Sequence, residues 1–335
     1  MDPLTHGLLG ATVAGFAAPR FLTRKQSALI GVLAGMAPDL DIFIRSSQDP
    51  LLALEYHRQF THSLAFAPLG AGVVTLLLFL LWRGRVSPLP IYVSALLAWL
   101  SHEFLDTCTS YGTQLLWPFA DTRVAWNVIG IIDLFFTGAL IAGLAMFWRG
   151  RSLRVLAASL GFAALYLAVG LWQRERVKGL LGELARSRGL EPVRIEAKPT
   201  IGNLWLWRGI TEASGKFYVD AYHTWPGSRP VLYVGGSVDK IEGTPSGVEP
   251  ESVQARDIER FRWFSDDFLA KHPSHDNVIG DVRYAVLPDD IHPLWGIVVD
   301  PSRRNEYVPF ENFREMREGT GRRILQRMLG KDLEK

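Results

Sequence analysis

Residues 66–82 read FAPLGAGVVTLLLFLLW, a run without a single charged side chain. A helix of about 20 mainly apolar residues is long enough to cross the hydrocarbon core of a bilayer. This run therefore predicts a membrane-spanning helix, and comparable runs lie on both sides of it. Working outward gives six predicted membrane segments: Leu8–Ala18, Ser27–Ile44, Phe66–Trp82, Pro90–Leu105, Val128–Trp148 and Leu153–Trp172. The first two are short or interrupted, so full spans, re-entrant segments and interfacial helices remain open for them.

The two halves of the chain differ in composition. Residues 1–172 are apolar, whereas residues 173–335 carry most of the charge, so the net charge of +2 averages over unlike regions. In the second half, strand-like runs alternate with Gly, Pro and Ser turns, and Glu251–Ala270 is predicted to be a helix. The predicted fold is an α-helical membrane domain, residues 1–172, followed by a small soluble α+β domain, residues 173–335. His272-x-x-His275 is interpreted as a surface pair.

Charged loops predict the orientation in the membrane. All short basic loops fall on one side of the six-segment topology: Arg20, Arg24 and Lys25, then Arg83 and Arg85, then Arg149, Arg151 and Arg154. By the positive-inside rule that side is cytoplasmic. The N-terminus and the C-terminal domain are then expected on the outer, periplasmic side. Because Asp2 precedes the first apolar run and basic residues follow it, that run is not expected to be a signal peptide.

The few ionisable residues of the N-terminal half collect at the predicted segment ends, and all these ends face the outer side. The candidate metal ligands are His6, Asp39, Asp41, His57, His62, His102 and Asp106. His102 and Asp106 are four residues apart, so they share one face of a helix. Imidazole and carboxylate groups suit zinc, manganese or iron. Seven candidates exceed what one tetrahedral ion uses, so one or two divalent ions, zinc or manganese, are predicted.

A metal-binding cluster at a membrane face predicts hydrolysis, because a bound divalent ion lowers the pKa of its water to about 7. Three further residues are candidates for catalytic roles. Glu103 could act as a general base, and Arg123, with Arg58 as a second candidate, could hold an anionic group. Asp133, inside the fifth segment, either lines the same cavity or bonds to a neighbouring helix.

The motifs also resemble a known family when taken together. They are Met1–His6, Pro38–Asp41, Thr61–Ser63, His102-x-x-x-Asp106, Tyr111-Gly112 and Trp117–Phe119. This combination resembles the YdjM-like family of membrane-bound, metal-dependent hydrolases over roughly residues 1–150, and the tail with Leu206–Arg208 resembles the C-terminal extension of many members. The resemblance implies a location in the bacterial inner membrane and a metal site.

A weaker likeness concerns the order of the ligands. Asp41, then His57 or His62, then His102 with Asp106, is similar to zinc-dependent phospholipase C and P1-type nucleases. The second His-x-x-x-Glu pair of those enzymes has no counterpart in this sequence. The likeness implies a phosphoester substrate, and a site at the membrane surface then favours a membrane lipid or a lipid-linked phosphate.

Three functions are compatible with these patterns. The first is a metal-dependent hydrolase acting on an ester of a membrane lipid, and the second is a non-enzymatic membrane metal-binding or scaffold protein whose soluble domain recruits a partner. The third is a transporter. A transporter should carry polar groups deep in several segments, and the presence of Asp133 alone at depth argues against this function. No basic block with interleaved aromatics predicts a nucleic-acid partner. The single cysteine, Cys108, excludes an internal disulfide and a Cys-based zinc site.

Overall fold

The structure, a computed structural model, describes residues 1–314 and 319–331. The chain divides into two compact units. The first unit comprises Met1–Phe43, Tyr56–Trp172 and Ile201–Asn203. The second comprises Ile44–Glu55, Gln173–Thr200 and the described residues from Leu204 onwards.

The first unit is helical. The helices of the described chain are α1 (Pro3–Ala17), α2 (Arg24–Met36), α3 (Leu52–Tyr56), α4 (Ala67–Leu81), α5 (Pro88–Thr107), α6 (Leu134–Trp148), α7 (Arg154–Ser187), α8 (Val253–Phe264) and α9 (Thr320–Met328). Within the described residues, α7 alone is long and apolar enough to cross a membrane by itself. Leu52–His62 and Ala67–Leu81 would do so only as one span bent by 78°. One membrane-capable helix is thus shown, and the count of six segments stays a prediction.

Two predicted boundaries differ from the structure. The segment Ser27–Ile44 is α-helical only to Met36 and continues as a 3-10 helix over Ala37–Phe43, because Pro38 has no N–H with which to continue the α-helical hydrogen bonds. Helix α6 begins at Leu134, so Asp133 caps the helix instead of lying inside it. The two units divide after Trp172, within α7, where the sequence QRERV around Gln173 consists mainly of good helix formers.

Glycines bring the backbones of α1 and α2 into contact. A Cβ atom on Gly10 would lie 2.2 Å from the carbonyl oxygen of Gly31, and one on Gly31 would lie 2.3 Å from that of Gly10. A Cβ on Gly35 would lie 2.7 Å from the His6 carbonyl oxygen. Small residues at helix interfaces permit this close packing in membrane proteins. The contact places the start of α1, with His6, beside the end of α2.

The second unit is rich in sheet. Its strands are β1 (Arg194–Pro199), β2 (Leu206–Ala213), β3 (Lys216–His223), β4 (Val231–Asp239), β5 (Leu269–Lys271), β6 (Val278–Asp281), β7 (Trp295–Val298) and β8 (Phe310–Asn312). They form two four-stranded sheets, β1-β2-β3-β4 and β5-β6-β7-β8, and every pairing is antiparallel. Residues of the first sheet, among them Trp207, pack with Val177 and Leu181 from the second half of α7.

Two predictions for this unit are wrong. The helix predicted over Glu251–Ala270 ends at Phe264, because Asp266 and Asp267 adopt positive φ angles of 52° and 59°, and the chain then enters β5. The surface assignment fails for His272, which is only 5% exposed. Its ring lies 4.7 Å from that of Phe313, and burial, helped by His275 and His292, lowers its pKa to about 4. His272 is therefore a neutral core residue at pH 7.

The glycine contact between α1 and α2 can be tested by adding one methyl group. We expect Gly31→Ala to destabilise the protein by roughly 1–3 kcal/mol or more, since its Cβ would overlap the α1 backbone, and to lower the thermal unfolding midpoint in detergent. Gly72→Ala on α4 is the matched control, because nothing lies within 4 Å of a Cβ there. Equal unfolding midpoints for the two variants would show that the helices are not packed this closely.

Candidate metal centre

Four ionisable side chains from three parts of the first unit come together. They are Asp39 in the 3-10 helix Ala37–Phe43, His62 in the 3-10 helix Phe60–His62, and His102 and Asp106 on α5. One ligand atom of each lies within 4.8 Å of those of the others. Imidazole nitrogens and carboxylate oxygens at this spacing are a donor set that could hold a divalent metal.

The cluster is shielded from solvent. The side chains of His62, His102 and Asp106 are 0% exposed, and that of Asp39 is 18% exposed. A buried carboxylate is costly unless a cation or a proton accompanies it. The cluster therefore has to hold protons or a metal ion, and Asp39 is its member nearest to solvent.

The orientation of the two imidazoles leaves their Nε2 atoms facing each other. His102 Nδ1 lies 2.7 Å from the backbone oxygen of Gly35, which only accepts, so Nδ1 carries the proton. His62 Nδ1 lies 3.2 Å from the Asp41 carboxylate. The Nε2 atoms, 2.9 Å apart, are then both lone-pair donors unless one is protonated. Such a pair repels itself without a shared cation, which fits a metal ligand pair held by outer hydrogen bonds.

Asp106 has the largest number of cationic or imidazole neighbours. Its Oδ1 atom contacts the Met1 amino group and lies 2.9 Å from His6 Nε2. Its Oδ2 atom lies 3.1 Å from Arg58 Nε and 3.3 Å from His62 Nε2. None of the Oδ2 contacts has hydrogen-bond geometry, so this buried oxygen accepts no hydrogen bond from the described residues. An unsatisfied carboxylate oxygen beside two Nε2 atoms is what a metal ligand requires.

Asp41 orients its neighbours. Its Oδ1 atom pairs with His57 Nδ1 at 2.8 Å. Its Oδ2 atom accepts from the Arg58 backbone N–H at 2.8 Å and from the Thr61 hydroxyl at 3.1 Å. Together with the contact to His62 Nδ1, these bonds use the acceptor capacity of both oxygens. Asp41 therefore fixes the position of His62 and of the segment that precedes it.

His6 and His57 lie beside the group of four. The His6 ring stacks on the His102 ring with centroids 3.6 Å apart, and its Nδ1 atom has no hydrogen-bond partner among the described residues. The His57 side chain is 26% exposed and bonds to Asp41. Of the seven candidate ligands, the structure thus gathers four into one group and places the other three against that group. Which of the seven bind a metal stays a prediction.

Two guanidinium groups lie beside the cluster, and each is close to the Tyr111 ring. The Arg58 guanidinium is 5.0 Å from the ring centroid and that of Arg123 is 5.4 Å from it. Arg58 is almost fully buried and also donates to Thr109 at 2.9 Å. Arg123 donates to the His57 backbone oxygen at 2.5 Å. Both candidate anion-binding residues are therefore adjacent to predicted ligands.

The other two candidate catalytic residues have different surroundings. Glu103 is 0% exposed, next to His102 on α5, and neither of its carboxylate oxygens is hydrogen-bonded to a described residue. Asp133 caps α6 by accepting from the Phe135 and Phe136 N–H groups at 3.0 Å, and its other oxygen accepts from Tyr166 on α7 at 2.8 Å. Asp133 thus bonds to a neighbouring helix, one of the two roles expected for it, and its catalytic role stays untested.

Sequence reasoning missed two parts of the site. The Gly35 backbone oxygen orients His102, yet a backbone group leaves no mark in the sequence. Tyr111 lies close to both guanidinium groups, and the sequence analysis recorded it only as part of a motif. An aromatic residue in the same predicted outer loop as Arg123 is the pattern that could have indicated it.

The buried Asp/His cluster gives the helical unit a candidate metal centre, and α7 is long and apolar enough to cross a membrane. Residues 1–177, more than half of the chain, match the YdjM inner membrane protein family, so the chain belongs to that family. The resemblance seen in the sequence motifs is thereby confirmed.

Two bacterial proteins are similar to this chain in sequence. The protein YfhP of Bacillus subtilis (strain 168) is 28% identical over 226 residues, which are 65% of this chain and 67% of YfhP. Inner membrane protein YbcI of Escherichia coli (strain K12) is 33% identical over 136 residues, 38% of this chain and 71% of YbcI. No solved structure matches the chain.

The cluster geometry generates a prediction about metal content. In detergent-purified protein saturated with zinc, we expect roughly one or two equivalents per chain, lost in His102→Ala/Asp106→Ala because both ligand atoms on α5 disappear. Elemental analysis measures this directly. His275→Ala/Asp276→Ala, two exposed residues of the second unit, is the matched control. Metal content that is unchanged in the α5 double variant would rule out this cluster as the binding site.

The role of Asp41 is separable from that of the ligands. Asp41→Asn keeps the size of the side chain but removes the charge that holds His62 Nδ1. We expect zinc affinity to fall roughly 10–100-fold, with the stoichiometry retained at saturation, as for other residues that orient metal ligands. Competition with a chelator of known affinity would measure this. Loss of a whole equivalent would instead make Asp41 a direct ligand.

Proposed function

We propose that this protein is an integral membrane, metal-dependent hydrolase that cleaves a phosphoester or another ester of a membrane lipid or lipid-linked substrate. The observation that carries the proposal is the pair of imidazole Nε2 atoms, 2.9 Å apart, beside the unsatisfied oxygen of Asp106. Membership in an inner membrane protein family supports a location in the membrane. The substrate proposed for a site in the membrane is a lipid or a lipid-linked molecule.

The residues present fit a divalent metal. Asp39, His62, His102 and Asp106 would hold one ion, zinc in first place and manganese in second. His6, Asp41 and His57 lie against this group but are not gathered into a second one within the described residues, and they would hold the four ligands in place. When bound, such an ion lowers the pKa of water to about 7 and polarises a phosphoryl or acyl oxygen.

The chain's own residues supply the remaining parts of a hydrolytic site. Arg58 and Arg123, both close to the Tyr111 ring, would bind the anionic group of a phosphoester. Glu103, buried without a hydrogen-bond partner among the described residues, would exchange a proton with the attacking water or the leaving group. The Gly35 oxygen and Asp41 would hold the imidazoles in place while the substrate changes charge.

The distribution of charge supports an outer location for the site. His6 lies near the start of α1, and Asp106 near the end of α5. The basic residues Arg20, Arg83 and Arg149 follow or precede the opposite ends of the helices. The positive-inside rule assigns those basic ends to the cytoplasm. We therefore propose that the cluster, and the chain after α7, face the periplasm.

Glu103→Gln separates catalysis from metal binding, because Glu103 is outside the group of four. With the zinc-loaded protein in vesicles containing a fluorescent phosphatidic acid, a fluorescent phosphatidylglycerol or a lipid carboxyl ester, we expect metal-dependent release of product. General acid–base roles contribute roughly 10²–10⁴-fold, so Glu103→Gln should lower kcat by about that factor at unchanged metal content.

Glu175→Gln on α7, an exposed carboxylate, is the matched control and should retain full activity. Full activity of Glu103→Gln would remove Glu103 from the mechanism. A zinc-loaded protein that hydrolyses none of the three lipids would overturn the proposal, and the non-enzymatic scaffold function would then stand ahead.

A further inference from the structure

A second charged region of the first unit lies at the helix ends remote from the metal cluster. A cavity of about 190 Å³ opens there, where α1 and α6 end and where α2 and α7 begin. Its lining includes Gly15, Arg24, Ser27, Phe147 and Arg151. The functions discussed above do not use any of these residues.

The cavity is basic. No carboxylate is among its lining residues, which include two arginines. The Arg24 guanidinium lies 4.7 Å from the centre of the Phe147 ring, which holds its charge at the cavity wall. No ion pair is described for Arg24 or Arg151 in residues 1–314 and 319–331. The cavity therefore presents positive charge without an internal carboxylate to offset it.

The sequence explains why no counterion is near. Neither residues 3–38, which form α1 and α2, nor residues 134–174, which form α6 and the first half of α7, contain a single Asp or Glu. The acidic residues of the first unit lie instead towards the metal cluster. Arg24 and Arg151, both exposed, are therefore open to an anion from outside the described residues.

The surroundings of the cavity are apolar and exposed. Phe16 and Phe21, near the end of α1, are 48% and 73% exposed, and Met146 and Trp148, at the end of α6, are 43% and 51% exposed. Tryptophan at a helix end is typical of the membrane–water interface. A ligand that pairs with the arginines and also covers this apolar surface carries an anionic headgroup and apolar chains.

We propose that this cavity is a binding site for the phosphate headgroup of an anionic phospholipid, with the acyl chains lying along the exposed ends of α1 and α6. Basic pockets between membrane helices bind anionic headgroups in this way. Arg24 and Arg151 contact the phosphate, and Ser27, which is 3% exposed and lines the cavity, faces the same space. The proposal needs these helices to lie in the membrane, but it does not need the metal cluster to be catalytic.

The test uses the full chain in mild detergent, with native mass spectrometry after titration with phosphatidylglycerol or phosphatidylcholine. We expect the wild type to retain phosphatidylglycerol in preference to phosphatidylcholine. Arg24→Gln/Arg151→Gln should weaken phosphatidylglycerol binding roughly tenfold or more, while Arg24→Lys/Arg151→Lys retains most of it. Zinc content and the unfolding midpoint report whether the variants are folded.

Arg20→Gln/Arg149→Gln is the matched control, because these neighbouring arginines do not line the cavity. Their variant should bind phosphatidylglycerol like the wild type, and an equal loss would overturn the site in favour of general surface charge. A wild type that retains both lipids equally would also overturn it. If millimolar inorganic phosphate displaces phosphatidylglycerol, the acyl chains contribute nothing to binding. That result would assign the cavity to free phosphate instead of a lipid.

Discussion

A carboxylate that is buried away from water needs positive charge beside it. In the first unit, this requirement at Asp106 determines which parts of the chain come together. Its side chain is 0% exposed, and its neighbours are a buried guanidinium, three imidazoles and an amino group. These five neighbours come from three stretches of chain. The requirement therefore brings the start of α1, the turn before α4 and the end of α5 together around Asp106. The imidazole nitrogens and carboxylate oxygens that meet there are suited to a divalent ion.

Close backbone packing makes this convergence possible. The contact of Gly10 with Gly31 removes the usual side-chain layer between α1 and α2. Gly70 leaves room between α4 and α5 for the Trp99 ring, since a Cβ there would lie 2.3 Å from that ring. Trp99 in turn donates to the Thr61 backbone oxygen at 3.1 Å and so holds the residue before His62. Packing by small residues and positioning of the ligands are thus parts of one arrangement.

The sequence was informative where a pattern is local. The i,i+4 pair on α5 and the split into a helical and a sheet-rich half are readable because helix periodicity and composition act over short stretches. Element boundaries were less predictable, since Pro38 and Asp266 redirect the chain through backbone geometry that hydropathy does not register. The grouping of Asp39 and His62 with α5, and the separation of His6 and His57 from that group, depend on tertiary contacts. No spacing in the sequence encodes these contacts.

The position of the cluster along the chain also bears on how the protein is made. Every candidate ligand lies within residues 6–106, and so does the glycine contact between α1 and α2. Chains emerge from the ribosome N-terminus first, and early parts fold while later ones are still being synthesised. The four side chains that could hold a metal ion are therefore synthesised before translation reaches α6 and the strands of the second unit.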